Sequence, residues 1–577
     1  MNMKRILAVL TALAMILALA GCSGSGETAA ETGATAAPTA EAEAVSTASE
    51  TDTDIASQLQ YLVDEGVIAQ DTLDAIVTYM ETNGLTLSNG MGGEMPEGQQ
   101  DGSAPEMPSG EMPSGGMGGG KPNAMLSEDI LTELLENGVI TQSDYDAVTE
   151  YQENQRGSMG GGDMGGAPGG GTSSVSYTAA SEITEAAEVS GETYTSETAD
   201  ENALLINTTE SVSVTDATVT KTGDSDGGDS CSFYGLNAAV LAMGGADVTI
   251  SGGSVTTDAD GANGIFSYGG NGAQNGSAGD GTTVTVSDTV ITTSGDNAGG
   301  IMTTGGGITN ANNLTVSTSG RSSAAIRTDR GGGTVTVTGG SYTTSGLGSP
   351  AVYSTADITV SDAELTSELS EGVCIEGKNS VTLTDCDLTA NNTQCNGNAT
   401  FFDSVNIYQS MSGDADSGTS AFTMTGGTLT SRSGHVFHVT NTHAVITLSG
   451  VEIVNEDSEN VLLSVCDDGW SGAENRAELV CSAQTLSGNI LVGSNSYLTL
   501  TLKNGSSFTG TFSGIIQNSR GESVSAELGE VSVTLDETST WTLTADTYIT
   551  SFTGNASQII SNGYTLYVNG VALTGTK

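Results

Sequence analysis

The chain has 577 residues, with 14 Lys plus Arg against 70 Asp plus Glu, a formal net charge of −56. That excess of negative charge repels phosphate backbones and excludes nucleic acid as a partner. One apolar run, at the extreme N-terminus, approaches membrane-spanning length, which excludes a multi-span membrane protein. Seven Cys in this length do not make a disulfide scaffold.

Residues 1–21 read as an export signal: Lys4 and Arg5 precede an apolar run over 6–20. The run ends in Leu19-Ala20-Gly21-Cys22 and is followed by Ser23-Gly24-Ser25-Gly26. This resembles the lipobox of bacterial lipoproteins. The resemblance implies that Cys22 is lipidated and becomes the new N-terminus. The mature chain would then lie outside the cytoplasm and touch the membrane only through its acyl chains.

Residues 22–54 are Ala, Thr, Glu and Ser with almost no large apolar side chain, the composition of a solvated tether. Two helical patterns follow, over 55–85 and 124–156, and they are one pattern used twice. Leu59, Leu62, Val63, Gly66, Ile68 and Tyr79 recur 72 residues later as Leu131, Leu134, Leu135, Gly138, Ile140 and Tyr151. Each unit predicts a helical hairpin whose first helix stops at the glycine and whose second starts just after Ile68 or Ile140. The shape is similar to the short helical hairpins called SHOCT modules. A hairpin of this size cannot bury enough surface alone, so the two are expected to pair with each other. Residues 86–123 and 157–174 are Gly-rich linkers; the first repeats Glu-Met-Pro from Glu94, Glu106 and Glu111 with no His or Cys beside the sulfurs.

From residue 175 to 577 the composition turns to Thr, Ser, Val, Gly and Asn. An apolar–Ser/Thr–apolar–Ser/Thr motif recurs with first positions at Val212, Val248, Val284, Leu314, Val335, Ile358, Val381, Phe422 and Ile446. Strict alternation means a strand with one buried face. Seven residues on, a second apolar position recurs, with Arg321 as the exception. The shortest spacings, 21 to 24 residues, make one turn of a three-sided solenoid, and longer ones carry inserted loops. The pattern predicts an all-β, right-handed parallel β-helix. As a repeat pattern over roughly residues 200–577 it resembles the pectate-lyase-like superfamily. That superfamily hosts polysaccharide lyases and hydrolases as well as silent polysaccharide binders.

A further column precedes the Thr column in each turn, aligned through Ile265, Ile301, Ile326, Val352, Ile375, Ile407 and Phe437. Its outward neighbours break the Thr/Ser monotony with aromatic, basic and acidic groups. Tyr268, Arg327, Asp329, Tyr353, Glu376, Lys378, Tyr408 and His438 are the candidate carbohydrate-binding residues, forming an exposed strip walled by long loops. Tyr rings can stack on sugar faces, while Arg and carboxylates hydrogen-bond hydroxyls. On this reading the chain binds a polysaccharide, either a cell-wall or a host glycan, without catalysis. The alternative is a lyase with Arg327 or Arg330 as base, or a hydrolase with paired carboxylates. Clustered loop carboxylates at Asp224, Asp226, Asp229, Asp414 and Asp416 are candidate Ca²⁺ ligands. Cys386 falls in a column of small inward residues and is expected to be a buried free thiol.

Overall fold

In a computed structural model of the protein, residues 175–577 are described apart from 226–227, 272–278 and 413. N-terminal to them the structure describes the helix Gln70–Asn83 and scattered positions between 55 and 148. Cys22, the tether and both Gly-rich linkers lie outside the described residues.

The helix Gln70–Asn83 begins two residues after Ile68, where the sequence predicts the second helix of the first hairpin. The two hairpins bury one common core: Leu59, Leu62, Leu73, Ile76 and Met80 pack with Leu126, Ile130, Leu131, Leu134, Ile140 and Val148. The Val139 N–H donates to the Leu134 carbonyl at 2.9 Å, the six-to-one bond of a Schellman helix end, next to the predicted glycine stop.

Residues 175–577 form a parallel β-helix built of three stacked ladders. Asp247–Ser251 lies between Ser211–Thr215 and Thr283–Ser287, with Val248 opposite Val212 and Val284. Ser254–Thr257 lies between Thr218–Lys221 and Val290–Thr293. Ile265–Tyr268 lies between Val240–Met243 and Ile301–Thr304. Inward Val, Ile and Leu from all three ladders make one continuous core along the axis. Each such side chain contributes about 1.5–3 kcal/mol when fully buried. Cys386 is buried in the core column and free, as its small neighbours imply. At the C-terminal end an antiparallel pair, Leu566–Val568 with Val571–Ala572, interrupts the parallel stack.

Between the first and second strands of nine successive turns the chain passes through a left-handed residue, followed by a second at Gly253, Gly340 and Gly427. The column of the first residue reads Asp216, Gly252, Asp288, Asn313, Gly339, Asp362, Asp385, Gly426 and Gly450, with φ between 50° and 67°. Only Gly, Asn and Asp adopt that conformation cheaply, which explains the column's composition.

Three alignments from sequence need correction. Val284 stacks on Thr309, and Thr309 stacks on Val335, so Leu314 is not a first position. The turn shows Thr309 and Ala311 inward, which hides the apolar–Thr–apolar signature. With that register the seventh residue on is Val316, paired with Ile291 and Tyr342, and the Arg321 exception disappears. In the third ladder Val352 stacks on Val373, not Ile375, and Phe437 stacks on Val405, not Ile407. A two-residue slip leaves every side chain on the same face, so alternation could not reveal it.

Candidate functional site

The outer face of the third ladder is not an open strip. At its N-terminal end Phe266 and Met302 are fully buried with Leu205 and Leu241, under Tyr234 from the short helix Asp229–Tyr234. Tyr268 joins that apolar patch and is 9 % exposed. At the far end Phe401, Cys466 and Ile516 make a second patch. Arg327, Asp329, Tyr353, Glu376, Lys378 and Tyr408 lie between these two patches, in a partly open window.

Three ion pairs hold the window's charges. Arg327 meets Asp329 at 2.6 Å, Arg330 meets Asp414 at 2.6 Å, and Lys378 pairs with Asp416. The guanidinium faces are covered as well: Arg327 lies 5.6 Å from the Tyr353 ring centroid and Arg330 lies 4.2 Å from that of Phe233. Arg327 also donates to the Ser322 carbonyl at 3.0 Å. An arginine so engaged is poorly placed as a lyase base.

Glu376 is the hub. Its side chain is almost wholly buried. Oε2 accepts the Tyr353 hydroxyl at 2.6 Å and the Tyr408 hydroxyl at 3.2 Å. Oε1 accepts from Ser410 and, at 3.4 Å, from Ser412. The strip reading placed Tyr353 and Tyr408 two rungs apart as separate stacking platforms. They do lie two rungs apart, but their hydroxyls converge to 3.5 Å because both donate to Glu376 on the rung between them. Burial pushes the Glu376 carboxyl up, the Ser410 and Tyr353 hydrogen bonds pull it back, and the Asp329 and Asp414 charges push it up again. Burial likewise raises Asp329, against the pull of Arg327, and Asp414 raises it further. Both tyrosine hydroxyls are held well above their ordinary range, first by burial and then by the Glu376 charge.

The rim of the window is aromatic. The Trp470 ring lies 4.7 Å from that of Tyr408, and Met411 beside it is 57 % exposed. Trp470 is not among the sequence-predicted residues, although a signal for it existed. It is one of two Trp in a chain poor in aromatics, and it follows Asp467-Asp468 in an inserted loop.

His438 is not part of this window. It is fully buried under Phe401, which stacks on it at 4.6 Å. The Ser464 hydroxyl lies 2.7 Å from Nδ1 of both His435 and His438. Nε2 of His438 faces Asp468 Oδ2 at 3.4 Å. One hydroxyl proton serves only one imidazole. With Nε2–H of His438 toward Asp468, its Nδ1 accepts from Ser464, and His435 Nδ1–H donates to the same oxygen. Burial, then repulsion from His438, pushes His435 down to about 3. The array is sealed beneath the fold's surface. The neighbouring Asp403 carboxyl is also buried, has no hydrogen-bond partner among the described residues, and is pushed well up by burial, Glu371 and Asp468.

The proposed calcium ligands do not gather. Asp226 lies outside the described residues. Asp224 Oδ1 accepts the Asp260 N–H at 3.0 Å, and Asp260 and Asp296 repeat that bond on the next turns, so Asp224 begins a structural ladder. Asp229 sits in the first turn of the helix Asp229–Tyr234, while Asp414 and Asp416 carry the ion pairs above. Among the described residues no three His, Cys, Asp or Glu side chains are placed to hold a metal ion. No described helix is long and apolar enough to cross a membrane. Compared with known proteins, the chain matches no protein-family model, no curated protein and no solved structure.

Proposed function

We propose that this chain is a lipid-anchored surface protein whose β-helix binds a polysaccharide at the Glu376 window. The anchor rests on the lipobox-like Cys22. The binding role rests on one observation: a buried carboxylate and two tyrosine hydroxyls lie beneath an aromatic rim of Tyr408 and Trp470. An apolar rim with a few oriented polar groups below it is the usual chemistry of a sugar site. Rigid ladders and long flanking loops hold the rim without a conformational change.

A second reading, a glycoside hydrolase, draws on the Glu376 and Asp329 carboxyls, which burial first and neighbouring carboxylate charge second push up, as a general acid requires. Calcium could join either reading only by displacing Arg330 and Lys378 from Asp414 and Asp416. A glycan array on the full chain tests the proposal. Binding that Trp470→Ala abolishes supports it, and a product assay on each bound glycan separates binder from hydrolase. Glycan binding untouched by Trp470→Ala places the site elsewhere.

A further inference from the structure

Beside the sealed histidines lies a buried polar cluster that the window does not use. The Gly372 N–H donates to the Ser404 carbonyl at 2.9 Å, and Val373 pairs with Val405. That register sets Glu371 against Asp403 on the next rung, with backbones about 4.8 Å apart. Glu371 is 6 % exposed and Asp403 is 1 %. Like charges stacked and buried in this way repel unless something positive sits with them. Among the described residues neither carboxylate forms an ion pair. The charges that act on Asp403 are themselves carboxylates, Glu371 and Asp468. The polar groups nearby do not resolve this. Ser370 donates to Glu371. Both Asp403 oxygens, however, lack a hydrogen-bond partner among the described residues. So does the entire Asn392 amide, which comes from the loop over 391–402 and lies against Glu371. So does Oδ1 of Asn406, which pairs with Cys374, a neighbour of both Glu371 and Asp403. Asp403, Asn392 and Asn406 are each at most 2 % exposed, and folded proteins rarely leave such buried oxygens without a partner.

We infer that Glu371, Asp403, Asn392 and Asn406 hold a hard divalent cation, in a structural site separate from the glycan window. The two carboxylates balance its charge, and the amide oxygens extend the ligand set that such ions take. A set of two carboxylates with amides also explains why no three His, Cys, Asp or Glu side chains mark it. Burial pushes both carboxyls up, and the Glu371 charge pushes Asp403 further; a bound cation reverses that push. The ion ties the 391–402 loop, and with it the Phe401 lid over His438, to two rungs of the third ladder.

The test takes the full-length chain through metal-free buffer, measures its metal content by plasma mass spectrometry, and compares thermal melts with and without EDTA. The expected result is about one calcium, magnesium or manganese ion per chain. EDTA should lower the melting temperature by at least about 2 °C. Asp403→Asn removes the charge and keeps the shape of a protonated carboxyl. It should lose most of the metal and the EDTA response, and melt below the parent. If the two carboxyls hold protons or water instead, the parent carries no divalent ion and Asp403→Asn melts at or above it, and either result overturns the inference. Metal kept by Asp403→Asn at the parent's level lies elsewhere and overturns it too. Zinc in place of a hard ion overturns it by pointing to Cys374 and the histidines. Should Asp403→Asn fail to fold, the parent's metal content and EDTA shift decide, with Glu371→Gln as the second variant.

Discussion

Replacing Tyr353 by Phe isolates one bond of the Glu376 hub. The ring stays, so no cavity forms and the Arg327 face contact survives. What goes is a 2.6 Å hydroxyl-to-carboxylate bond. Hydrogen bonds to charged groups contribute about 1.5–3 kcal/mol, so Tyr353→Phe should destabilise by about 2 kcal/mol. The Tyr408 bond is longer, 3.2 Å, and Tyr408→Phe should cost about 1 kcal/mol. Both hydroxyls serve the same oxygen. Removing both strands Oε2, so the double variant should exceed the sum by at least about 0.5 kcal/mol. Urea unfolding followed by intrinsic fluorescence measures all three, because Trp470 packs on Tyr408 and reports on this region. A Tyr353→Phe variant within about 0.5 kcal/mol of the parent, or strictly additive effects, would refute the hub and return Tyr353 to a solvent-facing role.

Elsewhere the same substitution should act in the opposite sense: the Tyr342 hydroxyl is buried in the core with no hydrogen-bond partner among the described residues, so Tyr342→Phe should stabilise by about 1 kcal/mol in the same urea assay. Gly427→Ala should destabilise by more than about 2 kcal/mol, since φ is +69° and a Cβ would meet the Cys386 carbonyl at 2.0 Å, whereas Gly450→Asn, at φ +64° with open space, should be tolerated in a thermal melt. His435 is held at about 3 when folded, below its unfolded value near 6.5, so its contribution is present above pH 6.5 and is lost as pH falls toward 3. The buried acids Glu376, Asp329 and Asp403 shift the other way, so the readout is wild type minus His435→Asn across that window, with a flat difference counting against the sealed imidazole. Cys22→Ala should release the protein into the aqueous phase of a detergent partition, and unchanged partition would remove the anchor.

The solenoid was legible because its signal is repetitive: Val212, Val248 and Val284 repeat one burial pattern, and the structure stacks them in that order. The registers that failed did so for definable reasons. Thr309 replaced an apolar residue at an inward position, where its hydroxyl finds Thr303 Oγ1 at 2.6 Å. Ile375 for Val373 was a slip of two, invisible to a period of two. The window's membership was partly legible, since Arg327, Asp329, Tyr353, Glu376 and Tyr408 do come together. Its burial was not. Alternation tells which face of a strand looks away from the axis, but not whether a loop such as the one bearing Trp470 folds back over it. For the same reason His438 was misread as exposed, although Phe401 and Ser464 enclose it.

The left-handed corner has a consequence for how this protein can change. It fixes the join between the first two strands over the nine successive turns from Asp216 to Gly450, so there the pair behaves as a chassis of constant length. Turns of 36 residues and turns of 23 differ only on the two flanks of the third ladder. Insertions and exchanges there leave the spine untouched and alter only what covers the third face. Natural variants and laboratory grafts should therefore gain new surfaces by lengthening the segments that border Ile265–Tyr268, Val373–Glu376 or Asp403–Tyr408. The corner itself changes length once, where the three positions from Ser482 to Thr485 become four from Lys503 to Ser507 on the next turn, and both strands stay stacked through it.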